Sequence, residues 1–200
     1  MMNECIVKKW AELDDNLVDE AIRVFSDGFL KEICEKTRMS TSSVERAIKH
    51  SFLRDHYYAA LVDGRVAGVM ATTTFEGRSH AFDKAVIQRE LGYLRGWALY
   101  AVLRKELEKP MALMANECYI ECLATATDSR RKGVATQMLQ HLYAHSGLNT
   151  FTLDVVDNNI GAIRLYEQLG FELYGTKKPG FILRLEGVKK RLMMKKKSDV

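Results

Sequence analysis

The stretch TDSRRKGVATQML, residues 127–139, constrains this chain more than any other. An apolar, strand-like run, NECYIECLATA (116–126), ends just before it, and a run with helical apolar spacing follows it. A helix that starts in such a turn leaves its first backbone N–H groups without intrahelical partners, and the helix dipole adds partial positive charge. The two together make an anion site, for which phosphate is the usual guest. Arg130, Arg131 and Lys132 strengthen that field, and Gly133 has no Cβ to hold a ligand off the backbone. Ala135 is the next-smallest choice two residues on. The stretch lacks the G-K-[ST] of a nucleoside-triphosphate loop and is not a dinucleotide fingerprint. On spacing alone, a solvated basic turn fits it equally well, because charge runs are commonly surface.

The surrounding pattern alternates strands with helices. ECIVKKW (4–10) reads as a first strand, and DDNLVDEAIRVFSDGFLKEIC (14–34) as one helix with Leu17, Ala21, Val24 and Phe25 on a stripe. STSSVERAIKHSFL (40–53) reads as a second helix, with Glu45 placed to close a capping box. HYYAALVDGRVAGVMATTTF (56–75) is a hairpin turning at Asp63-Gly64. Residues 80–113 are helical in period, interrupted by Gly92 and Gly96 and stopped by Pro110. After the strand at 116–126 come a helix closed by Gly147, a strand TFTLDVV (150–156), a helix NNIGAIRLYEQLG (158–170), and closing strands in FELYG and FILRLEGVKKRLMMKK.

Two hundred residues make a single domain, 1–200, with 80–113 as a helical insertion and a charged tip at 196–200 expected to fray. The net charge is +4, and KKRLMMKKK at 189–197 holds six cations, so the rest is nearly balanced and a nucleic-acid partner is not expected. No apolar run approaches a membrane span, and MMNECIVKKWAELDD has no signal-peptide core. Cys5, Cys34, Cys118 and Cys122 show no paired spacing and read as reduced thiols, with Cys118 and Cys122 expected on the same side of one strand. A cytoplasmic location with no membrane partner is the expectation.

One strand after the basic turn comes NNIGAIRLYEQLGFE. The pair of segments resembles the GNAT superfamily of acyl-CoA-dependent N-acyltransferases. Arg130-Arg131-Lys132-Gly133-Val134-Ala135 matches its pyrophosphate loop, [RQ]-x-x-G-x-[GA]. Asn159, Ala162, Leu165, Tyr166, Gly170 and Phe171 match its N-x-x-A-x-x-[LF]-Y-x-x-x-G-F signature. The likeness is strongest over 116–175 and is one of element order over 4–75. It implies an α/β fold with a mixed, mostly antiparallel central sheet flanked by helices, splayed between the strands at 117–125 and 150–156. Acetyl-CoA (coenzyme A) as cosubstrate would lie in the split, with no metal. Its pantetheine arm would pair with the backbone of Leu123, Ala124 and Thr125. Its pyrophosphate would sit on the N–H groups from Arg131 to Thr136, Asn159 would bond the pantetheine arm near the mouth of the last helix, and Ala162 would also bind the cofactor.

The reaction so implied is acetyl transfer to a primary amine by direct attack in a ternary complex. A free alkyl amine has a pKa of about 10 and must lose a proton, while the departing thiolate must gain one. The resemblance places Tyr166 as that acid. Strand alternation puts Glu117, Tyr119, Glu121, Leu123 and Thr125 on one face. Glu121 is the first candidate base and Glu117 the second, acting through water; an exposed or salt-bridged glutamate is an equal alternative for either. His141 and His145, one helical turn apart, lack the acidic partner of a metalloprotease pair and read as a surface pair. Tyr93, Trp97 and Tyr100 form a ridge in the insertion, expected to wall the acceptor pocket, to face a homodimer partner, or, for Trp97 most readily, to fill the core. The acceptor amine is left open among a polyamine, an aminoglycoside-like drug, an amino acid and a protein N-terminus. A non-catalytic acyl-CoA-binding regulatory module is the competing reading.

Overall fold

A computed structural model describes residues 5–180, 183–184 and 187–198. Its strands are β1 (Cys5–Lys9), β2 (Tyr57–Val62), β3 (Arg65–Thr73), β4 (Glu117–Thr125), β5 (Thr150–Val156), β6 (Glu172–Lys177) and β7 (Arg191–Lys197). They form one seven-stranded sheet in the order β1-β2-β3-β4-β5-β7-β6. Every neighbouring pair is antiparallel except β4 and β5. The fold is the expected mixed α/β sheet flanked by helices.

The helices are α1 (Asp15–Phe29), α2 (Lys31–Thr37), α3 (Thr41–Ile48), α4 (Lys84–Leu91), α5 (Tyr93–Leu103), α6 (Val134–His145) and α7 (Ile160–Gln168). Asp14 caps α1, accepting from the Leu17 N–H at 3.0 Å. The single helix expected over 14–34 is two, α1 ending at Phe29 and α2 starting after Leu30, whose backbone stays right-handed (φ −107°, ψ −21°) and whose N–H still reaches Ser26 O at 2.9 Å. The capping box at Glu45 is not made. Ser40 is the N-cap residue of α3, so the third helical position is Ser43, and the Ser40 hydroxyl meets that of Ser42 at 2.8 Å.

The hairpin turns where expected. Val62 pairs with Arg65, and Asp63 (φ 52°) and Gly64 (φ 75°) both take the left-handed region that a two-residue turn matched to strand twist requires. In the insertion, Gly92 (φ 82°) separates α4 from α5. A Cβ on Gly96 would lie 2.6 Å from Gln88 Cα, so this glycine lets the two helices cross at backbone distance.

Apolar layers cover both faces of the sheet. One joins Trp10, Phe25, Phe52, Tyr57 and Val69 to the insertion through Ile87, Leu99 and Leu103. The other joins Met70, Ile120 and Phe151 to α6 and α7 through Met138, Leu139 and Tyr166. The C-terminal segment departs from expectation. Residues 183–184 are helical, with Arg184 N–H bonded to Gly180 O at 3.1 Å, so the closing strand begins at Arg191 rather than 181. Phe181 and Ile182 lie outside the described residues. β7 pairs with β5 as far as Lys197 and the Ser198 N–H reaches Asn149 O at 2.8 Å, so the ladder extends into the tip expected to fray.

β4 carries the irregularity that shapes the site. Ala71 pairs with Cys122 and Thr72 with Ile120, leaving Glu121 as an extra residue opposite β3. Such a bulge reverses the alternation beyond it. Cys118, Ile120 and Leu123 pack in the α6 layer, whereas Cys122 and Ala124 pack in the α1 layer. Two expectations are thereby corrected. Leu123, and Thr125 by alternation, do not share a face with Tyr119 and Glu121, and Cys118 and Cys122 lie on opposite sides of the sheet.

Candidate active site

β4 and β5 pair in parallel only from Glu117↔Thr150 to Ile120↔Leu153. β4 then runs on to Thr125 and β5 to Val156 without pairing. The β5-facing edge of β4 from Glu121 onward, with Leu123, Ala124 and Thr125, is therefore open to an extended arm. One end of this opening leads to the basic turn. There Arg131 (φ 61°) and Gly133 (φ 78°) are both left-handed, and α6 begins at Val134. Gln137 N–H bonds Gly133 O at 3.0 Å, so the N–H groups of Val134, Ala135 and Thr136 precede the helical ladder. A Cβ on Gly133 would find only Gln137 Nε2, at 3.9 Å, so the space over the turn is clear. Gly68 seats α6 against β3: a Cβ there would lie 2.9 Å from Val134 Cγ1. Arg130, Arg131 and Lys132 are exposed, and Arg131 and Lys132 border a cleft of about 1110 Å³ walled by α1 and the hairpin.

The other end opens into a cavity of about 460 Å³ between α1, the insertion and the sheet. Glu121 and Asp154 lie on its floor, 2% and 5% exposed. Glu121 Oε1 accepts from Arg78, and Oε2 accepts from the hydroxyls of Ser79 and of Thr73, the latter at 2.9 Å. A proton arriving at Glu121 displaces one of these donors. Asp154 accepts from the Tyr119 hydroxyl and from Arg191 Nε, and Arg191 also meets Glu106 at 3.2 Å. Glu117 does not line this cavity; it accepts from Lys195 Nζ at 3.4 Å and from the Met114 N–H at 3.2 Å.

His80 also lines the cavity. The Ser51 hydroxyl donates to Ile48 O at 2.7 Å and so accepts from His80 Nδ1 at 2.9 Å. This leaves His80 Nε2 to accept the Tyr57 hydroxyl at 2.6 Å. Burial, and then the nearby Arg78, lower the His80 pKa to about 3, so the ring stays neutral.

Tyr166 comes from α7 on the opposite face, 8% exposed, with its ring 5.7 Å from that of Phe171. Burial pushes its hydroxyl up to about 12, helped by the negative field of Asp154. Asn159 caps α7, its side-chain oxygen accepting from the Ala162 N–H at 3.1 Å. Glu121, Leu123–Thr125 and the basic turn thus follow one another along β4 and its end, while Tyr166 packs in the layer on the other face and neither it nor Glu117 lines the cavity.

The insertion does supply one wall of the cavity, through Phe82, Val102, Leu103 and Leu107. The aromatics expected there do not. Tyr93 and Trp97 are 73% and 53% exposed, which also removes Trp97 from the core, and Tyr100 packs partly buried against it. His141 and His145 stack at 4.3 Å. Arg78, His80, Asp154 and Arg191 were missed from the sequence. Asp154 carried a signal, a carboxylate in the middle of the otherwise apolar strand TFTLDVV. Arg78 and His80 sit in GRSHAFD, which carries none.

The model of the Acetyltransferase (GNAT) family matches residues 10–171. The chain belongs to this family and is an acyltransferase; the acetyl donor of the family is acetyl-CoA. Solved structures with the same fold include the ribosomal-protein-S18-alanine N-acetyltransferase from Escherichia coli (15% identity, 98% of this chain and 96% of that one, TM-score 0.57). A GCN5-related N-acetyltransferase from Kribbella flavida aligns at 15% identity over 97% of this chain and 98% of that one, TM-score 0.59. A chain of the NatC complex bound to Gag peptide and CoA aligns at 11% identity over 98% of this chain and 99% of that one, TM-score 0.58. No curated protein sequence matches significantly. No helix among the described residues is long and apolar enough to cross a membrane.

Proposed function

We propose that the protein transfers an acetyl group from acetyl-CoA to a primary amine by direct attack, with both substrates bound at once. The observation that carries this reading is the split between β4 and β5 beyond Ile120 and Leu153, with the first turn of α6 at one end and the cavity over Glu121 at the other. The residues fit the donor. Gly133 leaves the backbone N–H groups of the turn uncovered, Arg131 and Lys132 border the cleft beside them, and the open edge at Leu123–Thr125 takes an amide-bearing arm as a strand would. When bound, acetyl-CoA supplies the acetyl group as an activated thioester.

Tyr166 gives its phenolic proton to the departing sulfur; a group titrating near 12 holds that proton throughout the neutral range. Glu121, the glutamate on the cavity floor, takes the proton of the attacking amine, and Glu117, outside the cavity, serves only through water. The four free cysteines favour a reducing, cytoplasmic location.

The test is release of free thiol from acetyl-CoA across a panel of amines, with calorimetry of acetyl-CoA binding alongside. Intersecting initial-velocity patterns support the ternary complex, whereas parallel lines contradict it. Binding without amine-dependent thiol release supports the non-catalytic module instead.

A further inference from the structure

Among the described residues the cavity over Glu121 is charge-balanced, and its buried carboxylates are already paired. Three described cations, Arg78, Lys105 and Arg191, and three described carboxylates, Glu106, Glu121 and Asp154, line it. Glu121 is held by Arg78 and two hydroxyls, and Asp154 by Tyr119 and Arg191. The one lining histidine, His80, is locked between Ser51 and Tyr57. Among the described residues a polycation entering here meets no surplus of negative charge, and a polyhydroxylated amine meets one buried side-chain donor without a partner, Arg78 Nε.

The rest of the lining is apolar: Phe25, Phe29 and Leu30 from α1 and its end, and Phe82, Val102 and Leu103 from the insertion. At about 460 Å³ the cavity is in the range that encloses a small organic ligand. Apolar walls also favour the neutral form of an amine over the ammonium, which is the form that attacks.

We infer that the acceptor is a primary amine carried on a single apolar arm, arylalkyl or branched alkyl, with no second cationic group. This rests on the acetyl-transfer reading above and narrows it. The arm lies against the wall shared by α1 and the insertion, and the nitrogen faces Glu121 at the mouth of the split. Polyamines and aminoglycosides, open on sequence grounds, are thereby disfavoured.

The experiment measures thiol release at saturating acetyl-CoA with phenethylamine, isopentylamine, spermidine and kanamycin as acceptors. Phenethylamine or isopentylamine is expected to exceed spermidine and kanamycin at least 100-fold in kcat/KM. Equal or better turnover of spermidine or kanamycin overturns the inference. So does a protein that binds acetyl-CoA by calorimetry yet shows no acceleration by either apolar amine. Absence of acetyl-CoA binding altogether strikes the acetyl-transfer reading rather than the acceptor class. A second measurement uses Val102→Glu, at a position 38% exposed where a charge is compatible with folding. It is expected to lower kcat/KM for phenethylamine at least tenfold with Tm little changed. Unaltered phenethylamine kinetics in that variant contradict the placement of the arm.

Discussion

Tyr119 on β4 donates its hydroxyl to the carboxylate of Asp154 on β5, one residue beyond the last backbone pair of the two strands, Ile120↔Leu153. The side chains thus bridge the sheet where its backbone ladder opens. The bridge holds Tyr119 protonated: burial raises its pKa, and the carboxylate raises it further. Tyr119→Phe removes one of the two donors to a carboxylate that is 5% exposed. The expected cost is about 1–3 kcal/mol of stability, read by denaturant unfolding.

Gly133→Glu places a side chain and a negative charge over the uncovered N–H groups at the start of α6. Acetyl-CoA binding by calorimetry is expected to be lost while the circular-dichroism spectrum is retained. Gly133→Ala is the control. Its Cβ has room, since the nearest atom is 3.9 Å away, and the left-handed φ of 78° costs about 1–2 kcal/mol. If Gly133→Glu binds acetyl-CoA as tightly as the parent, the phosphate-cradle assignment is wrong.

Tyr166→Phe is expected to leave acetyl-CoA affinity nearly intact and to lower kcat by about 10²–10⁴. The pH dependence gives a separate check. With the hydroxyl pushed up to about 12, the acid stays protonated as pH rises. No alkaline loss of kcat attributable to Tyr166 should appear below about pH 11. A descending limb near pH 9 that vanishes in Tyr166→Phe would contradict this environment.

His80 gives the fold an acid sensitivity. Its folded pKa, about 3, lies below the ordinary value of 6.5, so the unfolded chain binds the extra proton first as pH falls. The stability contributed by the neutral ring is complete above pH 6.5 and is lost progressively as pH falls towards 3. Between pH 6.5 and pH 5 the expected loss is about 2 kcal/mol. His80→Phe leaves the Tyr57 hydroxyl without its acceptor and Ser51 with Ile48 O alone, and is less stable at every pH, yet the part of the loss due to His80 over this window should disappear. An unchanged pH slope in the variant would place the proton uptake elsewhere.

Tyr93→Ala tests the exposed face of α5. With Tyr93 73% exposed, the change in stability should stay within about 0.5 kcal/mol, and KM for the acceptor should not move because Tyr93 is absent from the cavity lining. A fall in the mass seen by light scattering would identify this face as the contact between two copies.

The basic turn, Asn159 and Tyr166 were legible because each belongs to a short contiguous stretch whose spacing carries the signal. The hairpin was legible for the same reason, at Asp63-Gly64. The cavity was not. The bulge at Glu121 exists only in the pairing of β4 with β3, so the alternation that put Leu123 beside Glu121 held within the strand and failed in the sheet. The two floor pairs join residues 43 and 37 positions apart, Arg78 with Glu121 and Arg191 with Asp154. No local period records such pairings. The aromatics of α5 misled because helical period shows which residues share a face but not whether that face meets the core or the solvent.

β7, the last strand in sequence, lies between β5 and β6 rather than at an edge. Before it arrives, β5 has no partner on that side and β6 has none on its β5 side, and Asp154 lacks Arg191. The half of the sheet that carries Asp154 therefore cannot close during synthesis until Lys197 has cleared the ribosome. The β1–β4 half, whose neighbours precede it in the chain, is free to assemble earlier. Closure of the half that carries Asp154 thus waits on β7. A truncation just short of Arg191 is expected to yield a protein with β1–β4 and the Arg78–Glu121 pair formed and Asp154 without Arg191.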